Sequence, residues 1–194
     1  MRSNKIKEAA LKYFTLHGYE GASLSQIAEE AGIKKQSIYA HFKSKDDLFL
    51  QLLQDAKEVE LSSKLQYFNE KAVNHPEKDL YGFLIMVTQL FQKDEYMKFW
   101  LRMSFFPPDH LLKEIEKNII DIEQQVKESL EKKFSEWIEA KVIYGTDPQI
   151  PTIAYIGIID AIMVELVYTN SLKKVEDRLE ASWKVFWRGI SLER

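Results

Sequence analysis

The segment formed by residues 22–45 limits the possible folds more than any other part of the chain. It reads ASLSQIAEEAGIKKQSIYAHFKSK and contains signals for two short helices joined by a tight turn. Ser23 is a good N-cap, because its hydroxyl accepts a hydrogen bond from a free backbone N–H, and Gln26 follows at capping-box spacing. Gly32 is suited to end the first helix, since glycine enters the left-handed conformation without strain. A second helix is predicted over residues 35–41.

The apolar residues of this segment fall on one face of each predicted helix. They are Leu24, Ile27, Ala28 and Ala31 in the first helix, and Ile38 and Phe42 in the second. Two short helices with such faces, a glycine in the turn and several lysines predict a helix-turn-helix. The alternative is an ordinary helical hairpin with a solvated basic rim.

The composition restricts the class of protein. The chain has 194 residues, 45% of them hydrophobic, which is enough for one large domain or two small ones. It has no cysteine, so disulfides, thiol catalysis and cysteine-based zinc sites are excluded. The N-terminal residues lack the apolar core of a secretory signal, and a cytoplasmic location is expected. The longest apolar run, Ile153 to Tyr168, is shorter than the ~20 residues of a membrane span, so a buried helix and no membrane partner are predicted.

The charge is distributed unevenly along the chain. Residues 1–45 contain eight Lys and Arg and four Asp and Glu, a net charge of +4, whereas the remainder carries −7. An acidic chain with a basic N-terminal part is typical of a protein that contacts nucleic acid through one small module.

The rest of the chain shows helical periodicity and no strand-like alternation, so an all-α fold with about nine helices is predicted. The first helix, residues 3–17, has an apolar stripe of Ile6, Ala10, Phe14 and His17 and ends at Gly18. Ser44 is predicted to cap the fourth helix, and Asp94 begins the sixth. Besides the two helices of the segment 22–45, the others are predicted over residues 45–72, 77–92, 94–106, 109–142, 152–170 and 175–190.

The N-terminal residues also resemble a known family. The pattern is carried by Ala10, Phe14, Gly18, Ser23, Ile27, Ala28, Ala31, Gly32, Ile33, Lys35, Ile38, Tyr39, His41, Phe42, Lys45 and Leu48. It resembles the DNA-binding domain of the TetR family of bacterial transcriptional repressors over about the first 50 residues. The resemblance implies a three-helix DNA-binding domain in residues 1–46 and a larger helical domain for effector binding and dimerisation in residues 47–194. Gln36 stands where the family often has glycine, so the operator sequence is left open.

The resemblance implies that residues 35–41 form a recognition helix in the major groove. Gln36 is then suited to pair with adenine and Lys35 with guanine, while Ser37 can donate or accept. Phosphate contacts are expected from Ser23, Tyr39, His41 and Lys45, and Lys34 adds positive charge. Alternatives remain open for several of these residues: the lysines as plain solvated side chains, His41 as a packing residue, and Tyr39 as a cover over the small core.

One short helix reads only a few base pairs, so a homodimer on a palindromic double-stranded DNA operator is expected. The apolar helices within residues 152–190 are predicted to form the dimer surface, although they can equally complete the core of one subunit. The resemblance further implies a small-molecule effector pocket among the middle helices, for which core packing is the alternative assignment. The candidate lining residues are Phe68, Phe83, Phe91, Tyr96, Phe99, Trp100, Met103 and Glu165.

Three other functions are alternatives to a DNA-binding repressor. An enzyme is disfavoured, because the four histidines are scattered, and neither a catalytic set nor a metal set is recognisable, so no cofactor is expected. A helical adaptor without DNA binding is disfavoured by the basic N-terminal part. An activator on the same scaffold is indistinguishable from a repressor at this level. The prediction is therefore a ligand-responsive transcriptional regulator, with repression preferred.

Overall fold

The computed structural model describes residues 2–69, 75–169 and 171–192, and within these ranges the protein is all-helical. Nine α-helices and one 3₁₀ helix are present there, which confirms the predicted fold class. The α-helices are α1 (Arg2–Gly21), α2 (Leu24–Glu30), α3 (Lys35–Ile38), α4 (Lys45–Asn69), α5 (Pro76–Lys93), α6 (Glu95–Phe105), α7 (Leu112–Glu139), α8 (Gln149–Tyr168) and α9 (Leu172–Ile190). The 3₁₀ helix is Asp109–Leu111.

The first helix bends where its end was predicted. Gly18 adopts φ +73°, and helical structure resumes after this kink up to Gly21. Only glycine takes this conformation without strain, so Gly18 ends the first helical segment as predicted, and a short second segment continues to Gly21. The predicted apolar stripe is confirmed at Ile6, Ala10 and Phe14, which are buried. It is wrong at His17, which is exposed because it lies next to the kink.

The second helix of the segment 22–45 is shorter than predicted. The α-helix α3 ends at Ile38, and residues 39–41 continue as a turn in which the His41 N–H donates to the Ile38 carbonyl at 2.9 Å. Phe42 N–H donates to the same carbonyl. The chain therefore keeps a helix-like path to Phe42, but its last turn is tighter than an α-helix.

Several helix boundaries differ from the predicted ones. Helix α9 begins at Leu172 rather than residue 175, because the Ser171 hydroxyl accepts from the Lys174 N–H and caps the helix. At the end of α7 and the start of α8 the sequence lacks the usual signals. Helix α7 ends at Glu139 rather than Val142, since Lys141 adopts φ +55° and takes the left-handed position usually given to glycine. Helix α8 starts at Gln149 rather than residue 152, so Pro151 lies in its first turn. Proline is tolerated there because the first N–H groups of a helix have no partner within it. The predicted end of α4 at residue 72 lies outside the described residues.

The chain forms two compact units. Unit 1 contains Met1–Glu60 and Lys93–Ile119, and unit 2 contains Leu61–Gln92 and Ile120–Arg194. Helices α4 and α7 therefore contribute residues to both units. This division concerns packing, whereas the predicted boundary at residue 46 concerns function and stays a prediction.

The core of unit 1 is built from aromatic side chains on α1, α4 and α6. Phe14, Phe49 and Phe99 are completely buried, and the ring centroid of Phe49 lies 5.3 Å from that of Phe14 and 5.4 Å from that of Phe99. Edge-on contacts of this kind add to the free energy gained by burying the rings. This core fixes α1 against α6 and against the first turns of α4.

The core of unit 2 surrounds Tyr155 of α8. The side chain is completely buried between Phe83 and Phe134, and its hydroxyl donates to the Leu80 carbonyl at 2.6 Å. Burial raises the pKa of the Tyr155 hydroxyl well above its usual value. A buried hydroxyl with a partner stabilises one arrangement of α8 against α5.

Helix α8 is apolar nearly all round, yet only part of it is covered. An 18-residue window in Gln149–Tyr168 has a mean hydropathy of 1.9, and 39% of that window is buried. The helix as folded has 20 residues, so the expectation that it is too short for a membrane span was wrong on length. Core helices of soluble proteins have the same length and composition, and α8 packs against α9.

Candidate nucleic-acid interface

Helix α2 begins with the predicted capping box. The Ser23 hydroxyl accepts a hydrogen bond from the Gln26 N–H at 3.2 Å, and the Gln26 side-chain oxygen accepts one from the Ser23 N–H at 3.0 Å. The Ser23 hydroxyl in turn donates to the same Gln26 oxygen at 2.7 Å. Two backbone N–H groups at the start of α2 are thereby satisfied, and the direction in which α2 leaves the preceding chain is fixed.

The turn between α2 and α3 is a Schellman motif. The Ile33 N–H donates to the Ala28 carbonyl at 2.9 Å, and the Gly32 N–H donates to the Glu29 carbonyl at 3.0 Å. Gly32 itself has φ +68°, as predicted for the residue after the helix end. This hydrogen bonding sets the angle between α2 and α3, so the turn determines which side chains α3 presents outward.

Residues 34–42 separate into a buried side and an exposed side. Ile38 and Phe42 are almost completely buried and hold the segment against unit 1. The exposed side chains include most of the predicted DNA contacts: Lys34, Lys35, Gln36, Ser37, Tyr39 and His41. Tyr39 is 53% exposed, so the alternative that it covers the core is not what the structure shows. The structure thus brings these six predicted side chains to one short exposed stretch.

The start of α4 carries a second reciprocal cap. The Asp47 N–H donates to the Ser44 hydroxyl at 3.0 Å, which confirms Ser44 as the predicted N-cap. The Lys43 N–H donates to the Asp47 carboxylate at 2.7 Å, and the Gln51 amide donates to its other oxygen at 3.0 Å. The Gln51 hydrogen bond and then that of Lys43 lower the pKa of Asp47. The path from α3 into α4 is therefore held by local hydrogen bonds.

Lys45 differs from the other predicted contacts because it is half-buried. Its ammonium group lies 4.0 Å from the ring centroid of Tyr19. Loss of hydration lowers the pKa of Lys45, although nearby Glu20 and Asp46 oppose this shift. A lysine above an aromatic face gains electrostatic attraction and loses freedom of movement. Lys45 is therefore a positioned cation rather than a freely solvated one.

Sequence reasoning did not single out Tyr19 and His110 as site residues. The Tyr19 hydroxyl donates to an Asp46 carboxylate oxygen, and the His110 Nε2 lies 3.4 Å from the same oxygen. For His110, 64 residues away from Asp46 in the chain, the sequence carries no local signal.

The predicted effector-lining residues lie in both units. Tyr96, Phe99, Trp100 and Met103 belong to unit 1, and Phe68, Phe83, Phe91 and Glu165 belong to unit 2. Their apolar members are buried, except Tyr96, which is half-buried. Glu165 pairs with Arg178 of α9, with 2.5 Å between Oε1 and Nη2. Their role in ligand binding stays a prediction.

The predicted dimer surface has an uncovered apolar face. On α8 this face consists of Ile150, Ile153, Ala154, Gly157, Val164 and Tyr168, with Asp160 near its middle. On α9, Ala181, Ser182 and Val185 border an open groove of ≈ 500 Å³ that also contacts Ala154, Ile158 and Phe186. Among the described residues, no three His, Asp or Glu side chains lie close enough together to hold a metal ion.

Comparison with known proteins agrees with this geometry. Residues 6–52 match the family described as "Bacterial regulatory proteins, tetR family". The transcriptional repressor AcnR of Corynebacterium diphtheriae is 28% identical over 124 residues, which are 61% of this chain and 65% of AcnR. IcaR of Staphylococcus aureus, a negative regulator of the biofilm operon icaADBC, is 28% identical over 144 residues, which are 74% of this chain and 73% of IcaR.

The same architecture occurs in solved structures. The structure of AibR in complex with isovaleryl coenzyme A and operator DNA superimposes with a TM-score of 0.72 at 19% sequence identity, covering 95% of this chain and 97% of AibR. At that identity the likeness concerns the fold, and it extends well beyond the N-terminal residues. The N-terminal residues 6–52 are therefore similar to the tetR family of bacterial regulatory proteins, and the chain as a whole shares its fold with AibR.

Proposed function

We propose that the protein is a ligand-responsive transcriptional repressor that binds a palindromic operator as a homodimer. The observation that carries the proposal is the short stretch of residues 34–41, whose polar and charged side chains are exposed while Ile38 and the following Phe42 are buried beneath them. A surface with two lysines, a glutamine and a serine within four residues has the donors and acceptors that base edges in the major groove require.

The side chains of this stretch divide into two roles. Gln36 and Lys35 are proposed to read base edges, with Ser37 as a further contact, and they would therefore set the sequence preference. Tyr39, His41 and Lys45 are proposed to contact phosphates, with Lys34 adding positive charge. Ser23 is proposed to do so as well, although its hydroxyl already serves the capping box. Phosphate contacts supply affinity that falls as salt rises, whereas base contacts supply specificity.

The homodimer is proposed to form through α8 and α9. The uncovered face of these helices is apolar, apart from Asp160, and in a twofold dimer each subunit would cover the same face of the other. Two recognition segments would then bind two half-sites of one operator. The partner subunit would cover the apolar face of α8. The dimer therefore explains the apolar composition of α8 without a membrane and agrees with a cytoplasmic location.

The effector is proposed to be a small apolar or aromatic molecule bound in the part of the chain after residue 46. Binding would shift the population of the protein toward a conformation with lower operator affinity, and α4 is the proposed transmitter because it begins at Lys45 and extends into unit 2. This activity is regulation rather than catalysis. A panel of fatty acids, aromatic acids and acyl coenzyme A thioesters titrated into the operator complex tests it: a panel without any effect on affinity argues against an effector of this class.

The DNA-binding part is tested with a duplex selected by the wild-type protein from a random library. Tyr39→Ala combined with Lys45→Ala should abolish binding at moderate salt and leave the helical circular dichroism spectrum unchanged. Removing the cationic contact of Lys45 should also reduce the slope of log K against log salt by about 0.9, whereas losing the uncharged Tyr39 contact should leave that slope nearly unchanged. Tyr144→Ala with Lys132→Ala removes the same residue types from exposed positions of unit 2 and should bind like wild type. If the first variant binds as tightly as the second, the proposed interface is wrong.

A further inference from the structure

Four polar or charged side chains from three segments of unit 1 meet at the first turn of α4. Tyr19 comes from the end of α1, Lys45 and Asp46 from the start of α4, and His110 from the 3₁₀ helix that precedes α7. We call these four residues the Tyr19 cluster. The family match over residues 6–52 includes three of them and leaves His110 outside.

Every member of the Tyr19 cluster contacts another member. The Tyr19 hydroxyl donates to Asp46 Oδ1, and the His110 Nε2 lies 3.4 Å from that oxygen. The His110 ring packs edge-on against the Tyr19 ring with 5.0 Å between the centroids. On the same ring, the Lys45 ammonium lies 4.0 Å from the centroid. The Tyr19 ring is thus a shared platform for a cation and an imidazole.

This platform is rigid, whereas lysine by itself is not. The Tyr19 ring stacks on Phe14 with 5.8 Å between the centroids and meets Phe49 edge-on at 5.2 Å. Both of these phenylalanines belong to the completely buried core of unit 1. Holding a free lysine side chain in one position costs up to about 2 kcal/mol in lost rotamer freedom. A lysine already held over a fixed ring has given up most of it before DNA arrives.

The Tyr19 cluster also engages the carboxylate of Asp46, which would otherwise compete with a DNA phosphate for the Lys45 ammonium group. Asp46 is the neighbour of Lys45 in sequence, and an ion pair between the two would withdraw the cation from a phosphate. Instead, Asp46 Oδ1 accepts from Tyr19 and faces His110, and the hydrogen bond from Tyr19 is the main cause that lowers the pKa of Asp46. The other charged group close to Tyr19 and Lys45 is Glu20.

We propose that Tyr19 and His110 are positioning residues that hold Lys45 ready for a DNA phosphate, and that His110 makes operator affinity depend on the segment between α6 and α7. The inference rests on the proposed DNA-binding function and adds two residues that are not themselves expected to touch DNA. Movement of the 3₁₀ helix Asp109–Leu111 would withdraw His110 from Asp46 and release Lys45 from its fixed position.

A double-mutant cycle on the full-length protein tests the first part of the proposal. The probe is the duplex selected by the wild-type protein, and affinity is measured by fluorescence anisotropy at several KCl concentrations. Lys45→Ala should reduce the salt slope by about 0.9. Tyr19→Leu should weaken binding by about 5- to 30-fold and reduce the slope similarly, and adding it to Lys45→Ala should change little more. Tyr19→Phe keeps the ring and should recover part of the loss. Additive effects of the two single changes, or an unchanged slope in Tyr19→Leu, overturn the proposal.

The exposed position of His110 provides a second cycle for the case in which Tyr19→Leu does not fold. His110→Gln should weaken binding and reduce the salt slope, and in the Lys45→Ala background it should have no further effect. His17→Gln, at an exposed histidine of α1 outside the cluster, is the matched control and should leave both the affinity and the salt slope unchanged. An equal effect of His110→Gln with and without Lys45 contradicts the inference. If Lys45→Ala itself leaves the salt slope unchanged, or no duplex is selected, the proposed interface fails instead.

Discussion

Substitutions at Ser23 separate its structural role from its proposed role on DNA. The Ser23 hydroxyl accepts from the Gln26 N–H at 3.2 Å, and this hydrogen bond closes the capping box of α2. Ser23→Ala removes the acceptor and leaves that N–H without a partner in the first turn. Ser23→Asp keeps an acceptor at the same position, because aspartate is as good an N-cap as serine, but it introduces a negative charge. Comparing Ser23→Ala with Ser23→Asp therefore separates the effect of losing the N-cap from the effect of adding a negative charge.

The two variants should differ in both stability and affinity. Loss of an N-cap costs about 1 kcal/mol, so Ser23→Ala should lower the melting temperature of a chain of this size by about 2–4 °C. Ser23→Asp should stay within about 0.5 kcal/mol of wild type. A carboxylate about 4 Å from a phosphate is repelled by about 1–4 kcal/mol near a protein surface, so Ser23→Asp should bind the selected duplex at least about fivefold more weakly.

Thermal unfolding and fluorescence anisotropy on the same preparations measure both quantities. Ser23→Ala is expected to be the less stable variant and Ser23→Asp the weaker DNA binder. If Ser23→Asp binds as tightly as wild type, Ser23 does not lie next to a phosphate. If Ser23→Ala has the same melting temperature as wild type, the capping box contributes no stability, and the explanation given for the start of α2 is refuted.

Three further outcomes are expected. Val185 is 76% exposed on the apolar face of α9, so Val185→Glu should convert a dimer into a monomer in sedimentation experiments, whereas Leu16→Glu, at an exposed leucine of α1, should not. Tyr155→Phe removes the hydroxyl of a completely buried side chain, which donates to the Leu80 carbonyl at 2.6 Å, and it should lower the free energy of unfolding by about 1 kcal/mol. Asp47→Asn should reduce the loss of stability below about pH 4. A carboxyl whose folded pKa is lowered contributes stability above its unfolded pKa and loses that contribution as the pH falls. If urea titrations show the same fall in the free energy of unfolding below about pH 4 for Asp47→Asn and wild type, this assignment is contradicted.

Local chemistry made much of the interface predictable from the sequence. The capping box at Ser23, the left-handed Gly32 and the cap at Ser44 depend on residues within four positions of one another, and each was confirmed. Asp94 likewise caps α6 by accepting from the Met97 N–H at 3.1 Å. These features can be predicted from the sequence because the hydrogen-bond donors and acceptors involved are close together in the chain.

Features that depend on distant residues were not predictable. His110 reaches Asp46 across 64 residues, and no periodicity marks that approach. The left-handed Lys141 ends α7 without the usual glycine, and Pro151 was interpreted as a loop residue although it lies in the first turn of α8. In these places packing decides between conformations that the local sequence permits. The DNA and effector contacts of individual residues stay predictions.

The central claim is that two copies of the exposed stretch at residues 34–41 bind one operator. A hydroxyl-radical footprint of the wild-type protein on its selected duplex, compared with that of Val185→Glu, tests it most directly. We expect wild type to protect two half-sites related by twofold symmetry, with centres about 10–10.5 base pairs, or a multiple of this, apart. Val185→Glu should give weak protection or none. A single unsymmetrical site, protected equally by both proteins, would contradict the account.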